Sequence, residues 1–150
     1  DPAACYPSAV LGLGATVITN RREIAADDFF VGMYTTALDE GEIITAIRFP
    51  IPKRAAYMKF KQPASRFSLV GVFVAQFDAG VRVAVTGASS CVFRHAGLEA
   101  ALSGSFTPQA AAAVVIDASD LNADLHASAA YRANLISVQT QRAVAKMTSP

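Results

Sequence analysis

The chain predicts an α+β fold in which three strands come first and three helices follow. Three observations carry this. Val70–Phe77 and Val81–Thr86 are two β-rich runs joined by Asp78-Ala79-Gly80, the clearest hairpin in the sequence. The stretch from about Ser128 to Lys146 repeats apolar residues at helical spacing. Strands and helices are grouped along the chain rather than alternating, which separates α+β from α/β.

Each element has a local reason. Pro7 to Leu13 predicts a short helix, because a first-turn proline lacks only an N–H that would be unpaired there anyway; Gly12 and Gly14 end it. Ala15 to Thr19 is β-branched and reads as a strand, Asn20-Arg21 as a turn, and Arg22 to Ile24 as the returning strand. Asp27-Asp28 predicts a cap for a helix over Phe29 to Tyr34. Glu42 to Phe49 alternates as a strand and Pro50-Ile51-Pro52 breaks it. The two prolines and two cations of Pro50 to Arg54 mark a candidate domain boundary. Beyond it, Tyr57 to Gln62 reads as a strand and Pro63 to Phe67 as a loop. In the hairpin, Val70, Val72 and Val74 share one face while Phe73, Ala75 and Phe77 share the other, so both faces should be covered. Ala96 to Leu102 predicts a helix ending at Gly104, and Thr107-Pro108 opens another through Ala110–Val115. The last helix carries two apolar stripes, Tyr131, Leu135 and Val138 on one and Ala129, Ile136, Ala143 and Met147 on the other. That predicts a helix covered on two sides.

Composition narrows the function. The chain has 150 residues, 53% hydrophobic and 17% charged, enough for a core and unlike a disordered segment. Its 13 Lys+Arg against 12 Asp+Glu exclude a strongly basic nucleic-acid or anionic-lipid binder. Cys5 and Cys91 are too few for a disulfide framework and suit a reducing compartment. No apolar run approaches the roughly 20 residues of a membrane span, and the opening Asp1-Pro2 is not a signal peptide. That opening, without an initiating Met, reads as the interior of a longer chain.

No complete catalytic motif is present. His95 and His126 have no second ligand at metal spacing and read as surface or capping residues. Cys91 has no base beside it and reads as a buried, inert thiol. Asp27-Asp28 and Asp39-Glu40 are adjacent carboxylates that point apart, better explained as a cap and a solvated loop. There is no phosphate-binding P-loop, dinucleotide fingerprint or nucleophile elbow. The segment Lys59-Phe60-Lys61-Gln62-Pro63-Ala64-Ser65-Arg66-Phe67 stands out, with three cations and two aromatics around a loop. It suits an anionic or planar ligand, against the plainer reading of an exposed strand end.

Four segments in order carry a resemblance: Asp1 to Leu11, Glu42 to Pro50, Phe60 to Phe67, and His126 to Arg132. Together they resemble the FAD-binding medium subunit of the molybdenum hydroxylases, aerobic carbon monoxide dehydrogenase most nearly and xanthine dehydrogenase more distantly. The resemblance implies a three-stranded antiparallel sheet with a three-helix bundle, preceded by a remnant of an α/β FAD-binding domain. Residues 1–54 would be the tail of the FAD-binding middle domain and residues 55–150 the C-terminal domain. The family's glycine-rich flavin segments would lie upstream of Asp1.

The resemblance also implies site residues. Cys5 takes a position that is typically Asp on the flavin side, and a thiol is not a fixed carboxylate acceptor. Ile44 falls where an aliphatic residue packs near the adenine end. Lys61 falls where a lysine approaches the cofactor. Arg66 and Phe67 fall on the loop near the isoalloxazine; relatives often carry Arg-Tyr there, so Phe67 keeps the stacking face and loses the hydroxyl. The implied function is electron transfer from iron–sulfur clusters through FAD to an external acceptor. The implied partners are a molybdopterin-containing large subunit and an iron–sulfur small subunit. No residue is implied as catalytic or metal-binding, and the chain alone is expected to be inactive and not to retain FAD. The implied location is cytoplasmic, at the inner face of the membrane where partners hold it there. Two other readings compete: a subunit-docking module that does not bind FAD by itself, and a stand-alone ligand-binding domain using the Lys61–Phe67 loop.

Overall fold

Alternation along three long strands decides the architecture. In the computed structural model, which describes residues 1–149, β6 (Arg54–Lys61), β7 (Ser68–Phe77), β8 (Gly80–Thr86) and the short β9 (Phe93–Arg94) form one antiparallel sheet in that order. Val72 lies between Met58 and Val85 across the strands, and Val74 between Ala56 and Val83. Gly80 closes the hairpin at φ 138°, a conformation that side chains resist. The expected three strands are therefore present, with β9 added at the edge.

One face of this sheet is aliphatic. Val70, Val72, Val74, Val83 and Val85 are completely buried there, together with Leu98 of α3 (Ala96–Gly104) and Ile136 and Val144 of α5 (Ala129–Thr148). Each such side chain contributes about 1.5–3 kcal/mol by leaving water. Between these helices lies α4 (Pro108–Ala112), shorter than the expected Ala110–Val115 run and turned into place by Thr107, whose hydroxyl accepts from the Ala110 N–H at 3.2 Å. Likewise His95 Nδ1 accepts from the Leu98 N–H, and Ser128 Oγ from the Tyr131 N–H, as capping predicts. The long helix does not carry two covered stripes. It buries a single broad face, Arg132, Leu135, Ile136, Gln139, Thr140 and Ala143, and leaves Tyr131 42% exposed. Polar residues on the buried face account for the difference, because an apolar count passes over them.

The N-terminal segment covers the other face. α1 (Tyr6–Gly12) lies on β7 and β8, with Phe73 so close to Gly12 that an added Cβ would stand 2.6 Å from its ring. Val10, Leu11, Ala15 and Val17 form a second core with Ala84. From there the chain builds a three-stranded sheet, β2 (Glu23–Ala25), β1 (Thr16–Thr19) and β5 (Ile44–Arg48), all antiparallel.

The expected helix over Phe29 to Tyr34 is absent. Only α2 (Ala26–Phe29) is helical, and the chain then folds back as the hairpin β3 (Phe30–Gly32) and β4 (Thr35–Thr36), with Tyr34 at φ 53°. Asp27 is not a cap. Its carboxylate pairs with Arg82 at 2.8 Å and Arg94 at 3.3 Å, both from the larger sheet. A four-residue turn pinned by that ion pair leaves too little helix to offset nucleation, and β-branched Val31, Thr35 and Thr36 favour the hairpin.

Candidate functional site

One cluster of polar groups lies where the N-terminal segment meets β6 and β7. Alternation sends Ala56, Met58 and Phe60 of β6 toward the helices and Tyr57, Lys59 and Lys61 the other way. Ser68 opens β7 and is fully buried. Its hydroxyl lies 2.8 Å from the Tyr57 hydroxyl and 3.4 Å from Cys5 Sγ. Lys59 Nζ donates to the same sulfur at 3.3 Å. Gly71 allows this arrangement, since a Cβ there would collide with the Tyr57 hydroxyl. The segment before α1 is tied down by backbone: the Gly87 N–H donates to Pro2 O at 2.7 Å, and Thr86 Oγ1 to Ala4 O at 2.8 Å.

These contacts set the electrostatics. Burial pushes the Cys5 thiol up, but hydrogen bonds from Ser68, Tyr57 and Lys59 and the Lys59 charge outweigh it and hold the thiol below its ordinary range. Burial, and then the Cys5 sulfur, push the Tyr57 hydroxyl well above its ordinary value.

Next to this cluster is the β6–β7 loop. Gln62 and Phe67 close it through Gln62 N to Phe67 O and Arg66 N to Gln62 O, both at 3.0 Å, which forces Arg66 to φ 65°. The loop exposes Arg66 and half-buries Phe67, whose ring stands edge-to-face with His126 at 5.7 Å. A second edge-to-face pair, Phe60 with Tyr131 at 6.1 Å, lies on the adjoining strand and helix. Among the described residues no carboxylate forms an ion pair with Lys59, Lys61 or Arg66. Lys61 and Arg66, with no carboxylate partner, flank the loop that carries Phe67, and cations beside an aromatic residue can hold an anionic, planar molecule.

Of the five residues expected at a cofactor, Cys5 sits in the polar cluster, Lys61 ends β6, and Arg66 and Phe67 occupy the loop after it. Ile44 stands apart on β5 of the smaller sheet, 41% exposed. Sequence reasoning missed Tyr57, Ser68 and Arg132. Only Arg132 left a usable signal: it lies four residues before Ile136, on the stripe that becomes buried.

Residues 1–52 match the family described as the FAD binding domain in molybdopterin dehydrogenase. Over most of its length the chain is similar to the medium subunits of nicotine 6-hydroxylase and carbon monoxide dehydrogenase. It is 35% identical to the nicotine 6-hydroxylase medium subunit of Paenarthrobacter nicotinovorans, over 96% of this chain and 56% of that protein. It is 31% identical to the carbon monoxide dehydrogenase medium chain of Hydrogenophaga pseudoflava, over 83% of this chain and 47% of that one. The chain thus spans about half the length of the curated relatives it matches. Its fold superposes on a chain of Hydrogenophaga pseudoflava carbon monoxide dehydrogenase with a TM-score of 0.82 and 28% identity, covering 98% of this chain and 57% of that chain. The corresponding figures for CO dehydrogenase from Oligotropha carboxidovorans are 0.83 and 24%, again over 98% of this chain and 57% of that chain. Among the described residues no helix is long and apolar enough to cross a membrane.

Proposed function

We propose that this chain is the part of a molybdenum-hydroxylase medium subunit that closes one wall of the FAD site, in a subunit that passes electrons from iron–sulfur clusters through FAD to an external acceptor. One observation carries the reading. The segment matched by the FAD-domain family ties Pro2 and Ala4 to Gly87 and Thr86 and sets Cys5 against Lys59 of β6 and Ser68 of β7, next to the loop that carries Arg66 and Phe67. A flavin nucleotide is anionic and planar, the chemistry this rim suits.

The residues fit one wall of such a site. Lys61 and Arg66 would meet phosphate or ring-carbonyl oxygens, Phe67 would stack, and Ile44 is exposed for an aliphatic contact. Cys5 does not fit as a fixed acceptor, because its sulfur is already occupied by Lys59 and Ser68. The phosphate cradle, built from backbone N–H groups at a glycine-rich turn, is assigned to the rest of the subunit. When bound, FAD supplies the electron carrier. This chain's own residues bind and orient it and need no acid or base.

We divide the chain at residues 54 and 55: the first part completes the FAD-binding domain and the second is the closing domain. The partners in this reading are a molybdopterin-containing large subunit and an iron–sulfur small subunit, in the cytoplasm or held at the inner face of the membrane by those partners. A docking module that binds no FAD is the second reading, favoured by β5 and its flanks. Ile43, Phe49 and Ile51 are 64%, 45% and 92% exposed there, an apolar sheet edge suited to a cover.

Titration of FAD into the full-length subunit, followed by flavin fluorescence and calorimetry, tests the choice. Saturable binding is expected, weakened by about a hundredfold or more when Lys61→Ala and Arg66→Ala are combined, since each charge-assisted bond is worth roughly 1.5–3 kcal/mol. Residues 1–150 alone are expected not to saturate. A full-length subunit that binds no FAD overturns this reading and puts the docking module first.

A further inference from the structure

Arg132 is 2% exposed, yet it is the group on which the separate pieces of the rim converge. Its Nη1 donates to Leu69 O at 2.7 Å and to Gly87 O at 2.9 Å. Leu69 follows Ser68, which holds Tyr57 and Cys5. Gly87, through its N–H, holds the Pro2 carbonyl. The Cβ of any other residue at Gly87 would collide with Ser68 O, and its φ of 82° suits glycine, so the two carbonyls are brought to one guanidinium by the backbone itself. The other terminal nitrogen, Nη2, donates to Asp124 Oδ2 at 2.7 Å. Asp124 Oδ1 in turn accepts from the N–H groups of His126 at 2.9 Å and Ala127 at 3.1 Å, which fixes the turn whose histidine ring stands against Phe67. A buried guanidinium is expensive to desolvate, and Arg132 keeps its Nε without a partner while it satisfies the Leu69 and Gly87 carbonyls. The three segments it joins in this way all end at the rim.

We propose that Arg132, with Asp124 as its relay, is the positioning residue of the flavin-facing rim: it sets the Phe67–His126 pair and the start of β7 from beneath, without touching the ligand. The inference rests on the FAD reading above.

Asp124→Asn isolates the relay. The asparagine Oδ1 can still accept from His126 and Ala127, so the turn is kept, but Nδ2 cannot accept from Arg132. Arg132→Lys is the companion variant: an ammonium reaches one carbonyl and loses the planar fork. Arg142→Ala, on the exposed side of α5, is the control. All are made in the full-length subunit and read three ways: FAD affinity, visible circular dichroism of the bound flavin, and the NMR signals of the His126 ring, which feel the ring current of Phe67. Asp124→Asn and Arg132→Lys are expected to weaken FAD binding by about tenfold, to change the flavin dichroism and to shift the His126 ring protons, while far-ultraviolet dichroism stays native. Arg142→Ala is expected to change none of these. If the wild type binds FAD and Asp124→Asn leaves affinity, flavin dichroism and His126 signals in place, Arg132 is only a structural residue and the inference fails alone. If the wild type binds no FAD, the flavin reading fails and takes this inference with it.

Discussion

The two faces of the four-stranded sheet are held by different physics. The helix-covered face is, away from Arg132, a largely aliphatic layer that depends on volume and register. The face covered by the N-terminal segment is a patchwork: Phe73 and Ala84 pack on α1, Arg82 reaches Leu11 O and Asp27, and Tyr57, Lys59 and Ser68 meet Cys5. Non-directional packing builds a fold from an alternation pattern, while directional contacts between segments far apart in sequence build a site. The comparison breaks if perturbing either face gives the same response.

The largest effect is expected on the aliphatic face. Ile136→Ala removes a fully buried side chain between α5 and the sheet and should cost about 2–5 kcal/mol in chemical denaturation. On the opposite face Gly12→Ala adds a single methyl 2.6 Å from the Phe73 ring. Overpacking should outweigh the gain in helix propensity and leave a loss of about 1–2 kcal/mol. A stabilised Gly12→Ala protein would mean that α1 rides loosely on the sheet and that the two faces differ less than their contacts indicate.

Alternation made the aliphatic face legible in the sequence: the hairpin, its glycine, the Thr107 cap and the order of strands before helices all follow from local patterns of two to eight residues. The patchwork face was legible only in part. Resemblance pointed to Cys5, Lys61, Arg66 and Phe67, but Tyr57 and Ser68 are 11 residues apart and Cys5 is 63 residues from Ser68, beyond the reach of periodicity. The missed hairpin after α2 has the same origin. Asp27 reads as a cap because its neighbours are helix-like, and nothing nearby in sequence shows that Arg82, 55 residues on, will take its carboxylate. Arg132 was hidden differently. It occupies a core position on a legible helix, and a pattern scored on apolarity discards it.

A pH titration sharpens the contrast at a smaller scale. Glu42 accepts from Arg22, from the Asp39 N–H and from Thr19, which holds its carboxyl down at about 2. Because the folded value lies below the unfolded one, the contribution is full above the ordinary Glu range of about 4.3 and is lost as pH falls toward 2. Denaturation midpoints of the wild type should therefore fall through that window, and Glu42→Gln should flatten the fall while lowering the midpoint at neutral pH. Ile136→Ala removes no ionisable group, so it should shift the whole curve without changing its shape.

The smallest effect reads the rim directly. Cys5 and Cys91 are both half-buried, but only Cys5 has an ammonium on its sulfur. Lys59, with Ser68 and Tyr57, outweighs burial and favours the thiolate, the form that reacts with iodoacetamide. Cys5 should thus alkylate faster than Cys91 near pH 7.5, by a few-fold, with the site read by peptide mass. Lys59→Met keeps most of the side-chain volume and removes the charge, so it should raise the Cys5 thiol and slow its alkylation while leaving Cys91 unchanged. At a pH above both thiol values the wild type and the variant should converge, because each is then fully thiolate. A difference that persists there would mean that Lys59 controls access to the sulfur rather than its charge, and that the patchwork face is held at this point by packing, as the aliphatic face is.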